Sequence, residues 1–65
     1  MILLHTSWKF RGGFAVTEGT RNSSVLIGIW NSDDAGYRAT LGDHSVHVAE
    51  TKSDLRRRIQ DYRDS

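Results

Sequence analysis

The 65-residue chain contains no cysteine and no proline. Without cysteine it can form neither a disulfide nor a thiolate metal site, which favours a cytoplasmic location. The longest interior apolar run, residues 25–30, is far shorter than the about 20 residues of a membrane-spanning helix, and residues 1–9 lack the pattern of a secretory leader. We expect a soluble single domain, residues 1–65, with the marginal core of so small a chain.

The chain also lacks an excess of either sign of charge. Nine Lys and Arg oppose eight Asp and Glu, which gives a formal net charge of +1. Residues 1–30 carry a net +2, residues 31–51 a net −3 and residues 52–65 a net +2. A dedicated nucleic-acid-binding domain normally has a strong basic excess, so the charge favours another kind of partner.

Turn-forming residues divide the first fifty residues at short intervals. They cluster at residues 11–13, 19–23, 31–36 and 42–43, and the runs between them are rich in the β-branched and aromatic residues typical of strands. This pattern predicts five strands, at about residues 2–10, 14–18, 24–30, 36–41 and 45–50. Residues 25–30 are apolar on both faces, as expected of a central strand.

The first two strands are predicted to form a hairpin with a three-residue loop at 11–13, since Gly13 can adopt the left-handed conformation that closes such loops. This register places Phe10 opposite Phe14 and Trp8 opposite Val16. Aromatic pairs of this kind belong to a buried face. We therefore expect Trp8 and Phe10 in the core.

The last two strands are predicted to form a hairpin with a two-residue loop, Gly42–Asp43. The resulting register directs Val46 and Val48 to the core. It directs His47 to the opposite, polar face, beside Arg38. One apolar and one polar face are what a half-buried hairpin should show.

Residues 52–63 are predicted to form a helix. Thr51 is a suitable N-cap, and Asp54 in the first turn favours the helix dipole. Apolar residues recur at i, i+4 and i+7 and form one packing stripe: Leu55, Ile59 and Tyr62. The predicted fold is therefore α+β, an antiparallel sheet of about five short strands, built from β-hairpins, with one C-terminal helix packed on one face.

The three consecutive arginines of this helix have different predicted environments. Arg58 has Asp54 at i−4 and Asp61 at i+3, and Arg57 has Asp61 at i+4, so both are predicted to pair on the helix. Arg56 has no carboxylate on its flank and belongs to a cationic stripe: Lys52, Arg56 and Arg63. This stripe either lays its methylene groups over the sheet edge or contacts a partner.

No motif for catalysis, cofactor binding or metal binding is present. Gly12–Gly13 precedes a strand, whereas phosphate-binding loops open a helix. His44 and His47 fall on opposite faces of the predicted hairpin, whereas a zinc site needs converging ligands. We expect no enzyme activity, no cofactor and no metal.

Two functions remain open, and the first is protein binding. The uncovered sheet face, or an edge strand, would dock on a larger protein. A small chain without an attached module is typical of phage or mobile-element accessory proteins, so we hypothesise a non-enzymatic protein that modulates or inhibits a host complex in the host cytoplasm. A second copy of the chain is an alternative partner. The residues predicted to bind a partner are Lys9, Trp30, Arg38, His47, Lys52, Arg56 and Arg63.

The second function is nucleic-acid binding through the sheet face and the Lys52/Arg56 stripe. The residues predicted to contact phosphates or bases are Lys9, Arg11, Arg38 and His47, and Lys52 and Arg56 would add phosphate contacts. Residues 25–63 are predicted to form three strands and a helix. This order of elements is similar to that of plant AP2-type domains and of the arm-binding domains of phage integrases, which implies DNA contact through the sheet. The aspartates in the turns oppose this function, because they repel a phosphate backbone.

Overall fold

The computed structural model describes all 65 residues as five strands followed by one helix. The elements are β1 (Ile2–Phe10), β2 (Gly13–Gly19), β3 (Ser24–Asp33), β4 (Gly36–Leu41), β5 (Val46–Ala49) and α1 (Lys52–Asp64). Every strand pairs antiparallel with its neighbour in the chain, in the order β1-β2-β3-β4-β5. The predicted α+β fold is confirmed. The helix has 13 residues, and nothing in the chain forms a helix that could cross a membrane.

Helix α1 covers one face of the sheet, which we call the helix face. Its N-terminus is capped by Thr51, whose Oγ1 accepts a hydrogen bond from the backbone N–H of Asp54 at 3.1 Å. Leu55 and Ile59 are fully buried. They form one core with side chains from four strands: Ile2, Leu4, Val16, Trp30, Ala39 and Leu41. The opposite side of the sheet is called the outer face.

The β4–β5 loop has three residues, Gly42–His44, and not the two predicted. The loop is closed by a hydrogen bond from the backbone N–H of Leu41 to the carbonyl oxygen of Ser45, at 3.0 Å. His44 adopts a positive φ of 71°, the left-handed conformation that ends three-residue hairpin loops. The extra loop residue shifts the pairing of β5 by one position.

This shift reverses both faces of β5. His47 lies opposite Ala39, and Val48 lies opposite Arg38. Because neighbouring side chains of a strand point to opposite faces, a shift of one residue moves every side chain to the other face. Val46 and Val48 therefore point to the outer face and His47 to the helix face, so the predicted placements of these residues were wrong.

The β1–β2 hairpin also differs from the prediction. Its loop is a two-residue turn, in which Arg11 and Gly12 both have positive φ, 52° and 84°, as in a type I′ turn. Phe10 lies opposite Gly13, and Lys9 lies opposite Phe14. Lys9 therefore shares the side of Phe14, and Phe10 points to the outer face.

The pairing of β1 with β2 is interrupted by a large bulge. Leu4 lies opposite Val16 and Lys9 opposite Phe14, so residues 5–8 of β1 match a single residue of β2. Bulges of this kind redirect side chains. As a result Trp8 is 47% exposed and Phe10 36% exposed, and their predicted burial in the core was wrong.

Candidate binding surface on the outer sheet face

The outer face carries a largely aliphatic surface. Strand register arranges its side chains in three rows across the sheet: Leu3–Thr17–Leu26, Ala15–Ile29–Thr40–Val46 and Asn31–Arg38–Val48. Val46 is 58% exposed and Val48 55% exposed, although both are β-branched apolar residues. The two valines therefore form an apolar patch at the free edge of the sheet, which Thr40 and Arg38 of β4 separate from Ile29 of β3.

The β1–β2 side of the outer face is closed by the bulged part of β1. Ala15 and Thr17 are buried although they face away from the helix. The Thr17 hydroxyl is 2.8 Å from His5 Nε2, and the Trp8 ring contacts the His5 ring edge to face, with centroids 5.5 Å apart. The indole N–H of Trp30 donates to the carbonyl oxygen of His5 at 2.8 Å and fixes the bulge. The open part of the face lies over β3, β4 and β5.

A shallow depression of about 270 Å³ lies on this open part. Phe10 and Arg11 of the β1–β2 hairpin form one side of it. Its remaining lining comes from residues 26–29 of β3 and residues 40–42 at the end of β4. Apolar side chains in a concave position are well placed to accept an apolar group of a partner.

One cation lies within the outer face. Arg38 stands between Asn31 and Val48 in the third row, and no carboxylate lies within 4 Å of it. It also lines a larger cleft of about 510 Å³ at the β3–β4 turn, together with Asp33, Tyr37, Val48, Glu50 and Arg58. Its guanidinium is therefore available to a carboxylate of a partner.

The predicted partner-binding residues of the sheet do not share one surface. Arg38 lies on the outer face, whereas Lys9 lies on edge strand β1, on the side of Phe14. Trp30 is only 6% exposed and belongs to the core, so its predicted placement on the open face was wrong. His47 faces the helix and packs edge to face against the Tyr62 ring, with centroids 4.6 Å apart.

The predicted cationic stripe of α1 is largely engaged within the protein. The Lys52 ammonium lies 5.4 Å from the centroid of the Trp30 ring. Arg63 donates to Glu18 Oε1 from Nη2 at 2.6 Å and from Nε at 3.1 Å. This hydrogen bond lowers the pKa of the Glu18 carboxyl and raises the pKa of Arg63. Only Arg56 of the stripe has no partner, and it lies across the sheet from Arg38.

The pairing of the other two helix arginines also differs from the prediction. Arg57 pairs with Asp54 at 3.0 Å and not with Asp61. Arg58 has no carboxylate within 4 Å. Exposed side chains on one turn of a helix exchange partners at little cost, so angular position alone does not decide which arginine pairs.

The sequence prediction missed the apolar part of the outer surface at β5, because it depends on loop length. The two valines of β5 were assigned to the core and Ile29 was not singled out, whereas Leu3 and Arg38 were expected on the uncovered face and do lie there. One signal for the β4–β5 loop was present: histidine is among the residues enriched at positive φ. A three-residue loop ending at His44 would have turned Val46 and Val48 outward.

A polar cluster joins the β4–β5 loop to the end of α1. The Ser45 hydroxyl donates to Asp43 Oδ1 at 2.6 Å and lies 2.9 Å from His47 Nε2. The Tyr62 hydroxyl also donates to Asp43. Because the one hydroxyl proton of Ser45 is directed to Asp43, His47 donates its Nε2–H to Ser45 and does not act as its base. This geometry differs from that of an activated serine nucleophile and fastens the loop to the helix.

The hydrogen bonds from Ser45 and Tyr62 hold the pKa of the Asp43 carboxyl far below its usual range. A depressed folded pKa stabilises the protein above the unfolded pKa, about 3.9, and this stabilisation is lost as the pH falls toward the folded value. We expect the urea midpoint of the wild type to fall on acidification below about pH 5, and to fall less in Asp43→Asn.

Urea unfolding followed by circular dichroism at several pH values measures this difference. Asp61→Asn is the matched control, since it makes the same change in charge and removes no hydrogen bond of the folded chain. Equal acid sensitivity of Asp43→Asn and the wild type would show that the cluster does not contribute to stability.

No known protein-family model matches the chain, and the searches of curated proteins and of solved structures gave no match either. The function must therefore be inferred from the surface itself. The features that the fold leaves open to a ligand include the aliphatic part of the outer face, with the cleft beside Arg38, and the β1–β2 hairpin.

Proposed function

We propose that the protein is a small, non-enzymatic binding module that docks the outer face of its sheet on another protein in the cytoplasm. One observation carries the proposal: Val46 and Val48 are more than half exposed and form an apolar patch at the sheet edge, across Thr40 and Arg38 from β3. Exposed apolar patches rimmed by polar residues mark interaction surfaces. By covering part of a larger complex, the module would modulate or inhibit that complex.

The size of the molecule limits the size of the contact. It measures 34 × 26 × 21 Å, so its whole broad side is close to the about 800 Å² that each partner buries in a standard protein–protein interface, and the open part over β3, β4 and β5 is smaller. A partner of that footprint would contact the two valines, the depression beside Phe10 and the Arg38 guanidinium together. Docking would therefore occupy most of the outer face.

The charges of the face favour a different protein over a second copy of this chain. Arg38 needs a carboxylate from its partner. The carboxylate that register places on the outer face is that of Asp33, at the end of β3, so a second copy would offer Arg38 a carboxylate only at the rim of its face. A partner surface with apolar side chains around a carboxylate fits best.

Val48→Glu is expected to weaken partner binding at least tenfold, about 1.4 kcal/mol. It removes an exposed apolar side chain from the contact, and its carboxylate lies opposite Arg38, where it competes with the partner for that guanidinium. The partner is first captured on the wild-type protein and then purified, so that dissociation constants can be compared by calorimetry. The variant should remain folded, since an exposed strand position tolerates substitution within about 1 kcal/mol.

The matched control is Val25→Glu, because Val25 is also an exposed strand valine but lies opposite Glu18, away from the valines of β5. The dissociation constant of Val25→Glu for the partner should equal that of the wild type. A partner that binds both variants equally, or a dimer of this chain that Val48→Glu dissociates, would contradict the proposal.

A further inference from the structure

The end of β1 exposes four consecutive residues that alternate aromatic and cationic side chains: Trp8, Lys9, Phe10 and Arg11. The bulge in β1 and the tight turn after it direct both rings into solvent, where Trp8 is 47% exposed. Residues two apart on a strand share a face and lie about 7 Å apart. Trp8 and Phe10 are therefore two exposed rings close together in the chain, each followed by a cation, and one edge of the Trp8–His5 ring pair remains open to a ligand.

Arg11 occupies a position that its residue type does not favour. It is the first residue of the two-residue turn and has a positive φ of 52°, where Asn, Asp or Gly is preferred. Its guanidinium carbon lies 5.4 Å from the centroid of the Phe10 ring. A strained conformation with a charged, exposed side chain is a feature of ligand-binding positions. Asparagine would fit this turn position better than arginine.

The hairpin tip forms a cleft of about 430 Å³ with no acidic residue in its lining. Two cations, two phenyl rings and two glycines line it: Lys9, Phe10, Arg11, Gly12, Gly13 and Phe14. A side chain added at Gly12 would meet no other atom within 4 Å, so the tip is open. The first acidic residue of the chain is Glu18, whose carboxylate is bound by Arg63.

We infer that this hairpin tip binds single-stranded nucleic acid, in addition to the proposed protein contact at β5. An unpaired strand is held by two kinds of side chain: cations bind its phosphates, and exposed aromatic rings stack on its bases. The hairpin tip has both. A duplex hides the faces of its bases, and two cations are few for following its backbone. An acidic peptide would use the cations but would leave the rings without a matching surface.

The first measurement is the fluorescence anisotropy of a labelled oligothymidine strand titrated with the wild-type protein. With about two phosphates neutralised, raising the salt from about 50 to 200 mM should weaken binding roughly sevenfold. Trp8 emission should be quenched by stacking, whereas buried Trp30 should be unaffected. A duplex of the same length should bind more weakly than the single strand.

Arg11→Asn separates ligand binding from folding. It should raise the thermal midpoint, because asparagine suits the turn, and at the same time weaken oligothymidine binding severalfold. Phe10→Leu keeps an apolar side chain and removes the stacking surface, so it should weaken binding about fivefold or more. Arg56→Asn is the matched control: it removes an exposed, unpaired cation of α1 and should leave the affinity unchanged.

Three results would overturn the inference. They are no binding of the single strand at low salt, the same loss of affinity in Arg56→Asn as in Arg11→Asn, and displacement of the strand by a polyglutamate peptide at equal concentration. The last result would identify an acidic protein segment as the ligand. None of these results bears on the contact through Val48, which is tested with a different variant and a different partner.

Discussion

Ile59→Ala is expected to destabilise the protein by about 2–5 kcal/mol, the usual cost of removing a large aliphatic side chain from a packed core. Ile59 is fully buried, and with Leu55 it provides the buried side chains of α1. Small domains are stable by only about 5 kcal/mol or somewhat more. The variant should therefore be partly unfolded at 37 °C, and its helix should detach from the sheet.

Urea unfolding followed by circular dichroism measures this effect, and Arg56→Ala is the control on the same helix. Arg56 is exposed and has no partner, and alanine favours a helix, so its midpoint should stay close to that of the wild type. Ordinary surface substitutions change the free energy of unfolding by about 0.5 kcal/mol or less. If the free energy of unfolding of Ile59→Ala lies within that range of the control, the packing of Ile59 does not hold the core together.

Gly28→Ala is expected to be the second severe change, by about 1–3 kcal/mol or more. Gly28 lies in β3 opposite Leu41. An added Cβ would stand 2.5 Å from the carbonyl oxygen of Thr40 and 2.9 Å from the Cα of Leu41. Both are backbone atoms of β4, so relief of the clash requires the two strands to move apart and weakens their pairing.

Gly42→Ala provides the matched control for this substitution. The nearest atom to an added Cβ there is the carbonyl oxygen of Ile27 at 3.6 Å, an ordinary contact, and the φ of Gly42 is not positive. Its thermal midpoint should remain near that of the wild type. If the two alanine variants unfold together, the close approach of β3 and β4 is not a constraint on the fold.

The two proposed ligands contact overlapping parts of the protein. The protein contact is centred on β5, whereas the nucleic-acid contact is at the tip of the β1–β2 hairpin. Phe10 and Arg11 belong to both contacts, because they border the outer depression and also line the hairpin cleft. An unpaired strand and a partner protein that fills the depression would therefore compete for these two residues.

Local sequence patterns were sufficient for the elements and the fold class. Turn residues between β-branched runs marked all five strands, and Leu55 and Ile59 at helical spacing identified the buried side of α1, as the structure confirms. The prediction that Thr51 is the N-cap of α1 is also confirmed. Each of these signals depends on residues close together in the chain, which a sequence displays directly.

The exposed surfaces depend on one loop length and one bulge, which local sequence patterns do not reveal. A loop of three residues in place of two moved Val46 and Val48 from the core to the outer face. A bulge of four residues against one turned Trp8 and Phe10 into solvent. Both changes preserve the strands themselves, so strand patterns alone could not distinguish the alternatives.

By itself, the sequence determined that the chain forms five antiparallel strands and a helix that packs through Leu55 and Ile59. The tertiary structure decided which side of β5 and of the end of β1 faces the solvent, and with it the exposure of Val46, Val48, Trp8 and Phe10. The physical reason is the two-residue period of a strand: a shift of one residue leaves its hydrogen bonding possible but exchanges its faces. Only packing against Trp30 and the helix selects one of the two arrangements.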